Sequence, residues 1–113
     1  MGRTYVAQTG SDEFFDVNFS GVDVLGRLHT EVDAPRKQIY PNEDYYSTPY
    51  SASKEVAEEC ARKIRNADDN AFTTVIEEFR GSLIREDETL EEFKEWAMKW
   101  ATWLKQSGGY MIQ

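Results

Sequence analysis

The chain holds one histidine, His29, and one cysteine, Cys60. Nucleophilic catalysis needs a thiol or hydroxyl held against a base, and these two residues are the whole supply for a Cys/His arrangement. His29 lies opposite Leu28 and Thr30 in an extended alternation, so it reads as an exposed strand residue. Cys60 sits in the middle of an apolar helical stripe, where a small buried thiol is the ordinary occupant. Nothing in their spacing brings the two together. Carboxylate pairs are plentiful at Glu58-Glu59, Glu77-Glu78 and Glu91-Glu92. Adjacent helical positions point about 100° apart, whereas general acid/base work needs carboxyls that converge.

Asn66, Asp68, Asn70 and Glu77 have the spacing of positions one, three, five and twelve of a helix-loop-helix calcium loop. The sixth position is Ala71 where the sharp turn wants glycine, and helix N-caps select the same Asp and Asn residues. No Walker-type lysine or glycine-rich phosphate loop is present, and the basic pairs Arg36-Lys37 and Arg62-Lys63 do not make a nucleic-acid surface. The sequence therefore predicts no catalytic residue, no cofactor and no metal.

What remains is recognition. Tyr40, Tyr45, Tyr46 and Tyr50 are four of six tyrosines and crowd one proline-marked stretch, with Glu43 and Asp44 among them. Tyrosine gives large contact area at low entropy cost, and loops carry binding; the same rings also serve to roof a core. Trp96 and Trp103 lie seven residues apart at the border of a helical apolar arc, beside Glu92 and Lys99. Border tryptophans are either core lids or exposed anchors. The partner-binding residues expected on this basis are Glu43, Asp44, Tyr45, Tyr46, Tyr50, Glu91, Glu92, Glu95, Trp96 and Trp103.

The elements that must position these groups fall in two sets. Thr4–Gln8 and Phe15–Phe19 are β-prone runs, and Val22, Val24, Gly26, Leu28, Thr30 and Val32 share one side of a third extended run. Lys37–Tyr40 reads as a short edge strand before Pro41. From residue 51 the period becomes helical. Val56, Ala57, Cys60, Ala61 and Ile64 share one arc, with Glu58–Arg62 and Glu59–Lys63 in the favourable i,i+4 order. Asp68-Asp69-Asn70 caps a second helix from about Ala71 to Ile84. Thr89-x-x-Glu92 is a capping box for a third, stopped by Ser107-Gly108-Gly109. Tyr110–Ile112 returns to the sheet.

These readings give a single α+β domain over residues 1–113: strands mainly in 1–40, a Pro/Tyr connector at 41–50, three amphipathic helices in 51–107 and a tail at 108–113. The expected sheet has three or four short antiparallel strands, with the helices packed on one face. The chain is long enough for one core, with 40% hydrophobic residues. It has no apolar run near the ~20 residues that cross a bilayer and no apolar leader, so a cytoplasmic setting is expected.

Twenty-one acids against thirteen Lys+Arg give a net charge of −8. That balance opposes direct binding to nucleic acid or anionic lipid and favours a basic protein partner. Residues 1–50 and 51–113 each net −4, so the charge is not a tail. In general character, though without a shared motif, the chain resembles the small acidic inhibitors that phages and mobile elements deploy against host defence nucleases. The expected function is a non-catalytic protein-binding module, an inhibitor or nucleic-acid mimic that docks on a basic surface of a nucleic-acid-handling protein. The alternative is an assembly protein that acts through homo-oligomerisation.

Overall fold

The structure is a computed structural model that describes residues 2–8, 14–38 and 46–113. In chain order its elements are β1 (Gly2–Ala7), β2 (Phe14–Asn18), α1 (Phe19–Glu31), β3 (Lys37–Gln38), β4 (Tyr46–Ser47) and β5 (Ser51–Ser53). Three helices, α2 (Lys54–Arg65), α3 (Asp69–Phe79) and α4 (Leu90–Ser107), then lead to β6 (Gly109–Ile112). The class is α+β. Four antiparallel strands form the main sheet in the order β2-β1-β6-β5, and β3 pairs with β4 in a separate ribbon.

Strand alternation decides which face of the sheet is covered. Tyr5 lies opposite Phe15 on one side and Ile112 on the other, and Tyr110 lies opposite Ala7 and Ala52. Tyr5, Ala7, Val17, Ala52 and Tyr110 are all buried under the helices. Thr4, Asp16, Ser51 and Met111 take the other parity, and Met111 is 55% exposed there. Trp100 of α4 fills the space beneath the covered face. Its ring stacks on Trp103 at 5.6 Å and meets Tyr5 edge-on at 4.7 Å, and Phe15 and Tyr110 complete the cluster. Burying a large apolar side chain in this way contributes about 1.5–3 kcal/mol each.

Two expectations about the elements need correction. The run expected as a third strand, Val22–Val32, is helix α1 with its C-cap, so four helices stand among the described residues, and the sheet takes its remaining strands from β5 and β6. Val24, Leu25, Leu28 and Val32 fit the helical period as well as the alternation does, so pattern alone does not separate the two. The Asn18 side chain decides it by accepting a bond from the Gly21 amide and capping α1. The second correction concerns α3, which stops at Phe79 instead of running to Ile84. Gly81 has φ of +82°, and the Gly81 and Ile84 amides bond to the Ile84 and Phe79 carbonyls in a tight turn. Leu83, inside the span expected as helix, is consequently 37% exposed.

The other boundaries follow their sequence signals. Ser53 caps α2, Asp68 caps α3, Thr89 and Glu92 form the capping box of α4, and Gly108 ends α4 in the left-handed conformation. On α2 the ion pair formed is Arg62–Glu59 at 3.7 Å, rather than the two i,i+4 pairs expected.

Gly21 tests how tightly α1 sits on β2. A Cβ there would fall 2.3 Å from Val17 Cγ1. Gly21→Ala gains helix propensity of up to ~1 kcal/mol but overpacks a buried valine, so a net loss of about 1–2 kcal/mol is expected. Urea unfolding measures it, and an unchanged or raised midpoint would contradict the packing described.

Candidate functional site

The first arrangement with chemical potential is internal. Helix α1 supplies His29, α2 supplies Cys60, α4 supplies Trp100, and the segment after α1 supplies the Pro35 carbonyl. The Trp100 indole N–H donates to His29 Nε2 at 3.0 Å. Because Nε2 accepts, the ring proton sits on Nδ1, which donates to the Pro35 carbonyl at 2.8 Å. Cys60 Sγ lies 3.9 Å from His29 Nδ1 and 3.8 Å from the same carbonyl. The Cys/His pair that the spacing did not suggest is therefore present, and His29 is fully buried on a helix rather than exposed on a strand.

Its electrostatics oppose nucleophilic chemistry. Burial lowers the His29 pKa to about 4, outweighing the Pro35 bond, and the Arg36 charge lowers it further. Burial also pushes the Cys60 thiol up to about 12, helped by Glu59. An activated pair needs thiolate and imidazolium; here both partners are held neutral and neither has any exposed surface. The arrangement is suited to holding three helices and a loop together.

The calcium-like positions are likewise occupied in building the fold. Asn66 is the C-cap of α2, Asp68 caps α3, the Asn70 carbonyl accepts from Thr74, and Glu77 pairs with Arg80. Among the described residues no three His, Cys, Asp or Glu side chains are placed to hold a metal.

The second arrangement is a surface groove of about 440 Å³ between the start of α1, the 80–88 turn and the first half of α4. Gly21, Val24, Ile84 and Phe93 lie along its apolar part, while Glu88, Glu92, Glu95 and Arg85 bring charge. Half-buried Trp96 packs against Phe93 at 5.7 Å, and its ring lies 3.7 Å from where a Cβ on Gly21 would stand. The wall formed by the turn is braced by Arg80, whose guanidinium donates to the carbonyls of Glu86 and Glu88. Residues 85–95 carry six acids and two bases, a net of −4 that is half the charge of the whole chain. The starts of α1 and α4 contribute only about +0.5 charge each, and both are already capped, so the formal charges set the sign of the groove.

Of the residues expected to bind a partner, Glu92, Glu95 and Trp96 line this groove, and Glu91 is exposed one position from Glu92. Glu92 also closes the capping box and pairs with Arg85 at 3.0 Å. Its carboxyl is held below the usual range first by the Thr89 backbone N–H and then by Arg85. Tyr50 lies elsewhere, beside β5, 51% exposed with the Lys37 ammonium 3.7 Å from its ring centre. Trp103 is only 8% exposed and belongs to the aromatic core, so it offers little surface to a partner. Tyr46 pairs with Gln38 in the β3–β4 ribbon. Glu43, Asp44 and Tyr45 lie outside the described residues. Sequence reasoning missed Arg85, Glu88 and the α1 wall. The charge density of Arg85-Glu86-Asp87-Glu88 was the available signal, whereas the wall depends on reading α1 as a helix.

The internal site has a defined pH signature. In the unfolded chain the imidazole gains its proton near pH 6.5, but in the folded protein only near 4. Between those values protons bind preferentially to the unfolded state. The stabilising contribution of neutral His29 is thus complete above pH 6.5 and is lost as pH falls towards 4, amounting to about 3 kcal/mol. Denaturation from pH 7 to 4, compared with His29→Gln, should show a slope that the variant flattens; an imidazole titrating near 6.5 by NMR would refute it. Cys60 should resist thiol reagents at pH 8 in the native protein and react fully in denaturant.

No protein-family model matches the chain, and neither does any curated protein or solved structure.

Proposed function

We propose that the protein is a small non-catalytic binding module that docks its acidic groove on a basic surface of a protein partner, one that handles nucleic acid, and inhibits it by covering that surface. The observation that carries this reading is the meeting of charge and shape between residues 80 and 96. The most acidic stretch of the chain borders a groove with an apolar interior and a half-buried tryptophan. Carboxylates around an apolar centre combine fast steered association with desolvated contact area. Strongly basic protein surfaces are commonly those that neutralise phosphates, which is why a nucleic-acid-handling partner is the natural complement. The buried state of Cys60 and His29 supports a non-catalytic reading by placing the available thiol and imidazole out of a substrate's reach.

A second reading, homo-oligomerisation, is favoured by the sheet face that no described helix covers, where Met111 stands exposed opposite Val6 and Ser51. It draws nothing from Trp103, which is in the core.

Glu91 and Glu95 are exposed on α4 and carry little of the fold, so the double charge reversal Glu91→Lys/Glu95→Lys isolates the groove. Capture from source-cell lysate should recover a basic protein with the wild type and lose it with the variant, with binding weakened at least ~10-fold between low and physiological salt. Identical capture by both proteins would sink the reading. Recovery of the chain alone, with sedimentation showing association at constant salt, would transfer it to the oligomer.

A further inference from the structure

We infer that the groove is shaped to receive the guanidinium of a partner's arginine, and that Arg85 occupies that place in the free protein and yields it on docking. The inference rests on the protein-binding reading above and specifies the chemistry of the contact. Arg85 Nη2 donates to Glu88 Oε1 at 2.8 Å and to Glu92 Oε2 at 3.0 Å, and its Nε lies 3.8 Å from Asp87 Oδ1. Carboxylates from the turn and from α4 thus converge on one guanidinium, whose several donors in a fixed fork suit them better than a compact ammonium does. Trp96, on the same groove, gives a flat aromatic surface of the kind that guanidinium stacks on. Val24, Leu83 and Ile84 provide apolar lining for the aliphatic stem.

Arg85 is loosely held for a residue with so many partners. Its side chain is 61% exposed and that of Glu92 50%, and an ion pair at such exposure adds little net stability. Exchange for another arginine therefore costs the fold little. Arg80, which braces the turn through the Glu86 and Glu88 carbonyls, does not depend on Arg85 and keeps the wall in place. The groove is also under-neutralised. Among the described residues lining the groove, Glu88, Glu92 and Glu95 face a single arginine, and the ion pair given for Glu95 is the longer 3.9 Å contact with Lys99.

The test uses an octa-arginine peptide as the probe, titrated into the isotope-labelled protein at fixed low salt and followed at the Trp96 indole N–H. Arg85→Ala should tighten binding about threefold or more by removing the competitor, whereas Arg62→Ala, which makes the same charge change on α2 outside the groove, should alter it by less than about twofold. Octa-lysine should bind about threefold more weakly than octa-arginine. Glu95→Lys should weaken binding of both peptides. Equal effects of Arg85→Ala and Arg62→Ala, or equal affinity for the two peptides, would overturn the arginine inference while leaving protein binding intact. If Glu95→Lys and Glu91→Lys/Glu95→Lys change neither peptide binding nor partner capture, the protein-binding reading falls with it.

Discussion

The hydrogen bond from the Trp100 indole to His29 Nε2 sets the terms on which the helices meet the sheet. A large aromatic ring is what fills the layer between them, and a fully buried N–H demands an acceptor. His29 provides it from the neighbouring helix, but only in the tautomer that leaves a proton on Nδ1. That proton in turn needs the Pro35 carbonyl, which fixes the chain as it leaves α1. A parallel set of bonds fastens the far end of the proline-marked connector: Tyr5 and Thr48 hydroxyls lie 2.6 Å apart, and the Tyr110 hydroxyl donates to the Pro49 carbonyl. Pro35 on one side of the undescribed residues 39–45 and Thr48 and Pro49 on the other are thereby tied to the core by buried polar groups.

Elements with independent local signals were legible in the sequence. The capping box at Thr89 and the stop at Gly108 mark α4, the helical period from residue 51 marks α2, a β-prone run marks β1 and alternation marks β2. Where two periods coincide, local pattern fails. Val24, Leu28 and Val32 share one face in either a helix or a strand, and only the Asn18 cap and the fit of Gly21 against Val17 distinguish the two. Strand β5 was missed for a different reason: Ser51-Ala52-Ser53 carries one apolar residue, and its pairing is set by β6 from far along the chain.

The candidate site divides in the same manner. Glu92, Glu95 and Trp96 belong to one helix and share a spacing that sequence reveals. Their opposite walls come from α1 and the 80–88 turn, and no local rule joins those segments to α4. The meeting of Cys60 with His29 is likewise tertiary. It also shows why residue type alone misleads: the same two side chains that make a nucleophile in a polar cleft make an inert fastening when both are dry.

The central pairing of the sheet joins Tyr5, Val6 and Ala7 to Ile112, Met111 and Tyr110. A ribbon of β1 and β2 alone is marginal in water, and its inner edge gains a partner only once more than a hundred residues of chain have been brought round. During synthesis the helices emerge before the strand that seats them, so Tyr5 and Trp100 have no complete cluster until the last few described residues leave the ribosome. Closure of the sheet is consequently a late, non-local step in acquiring the native state.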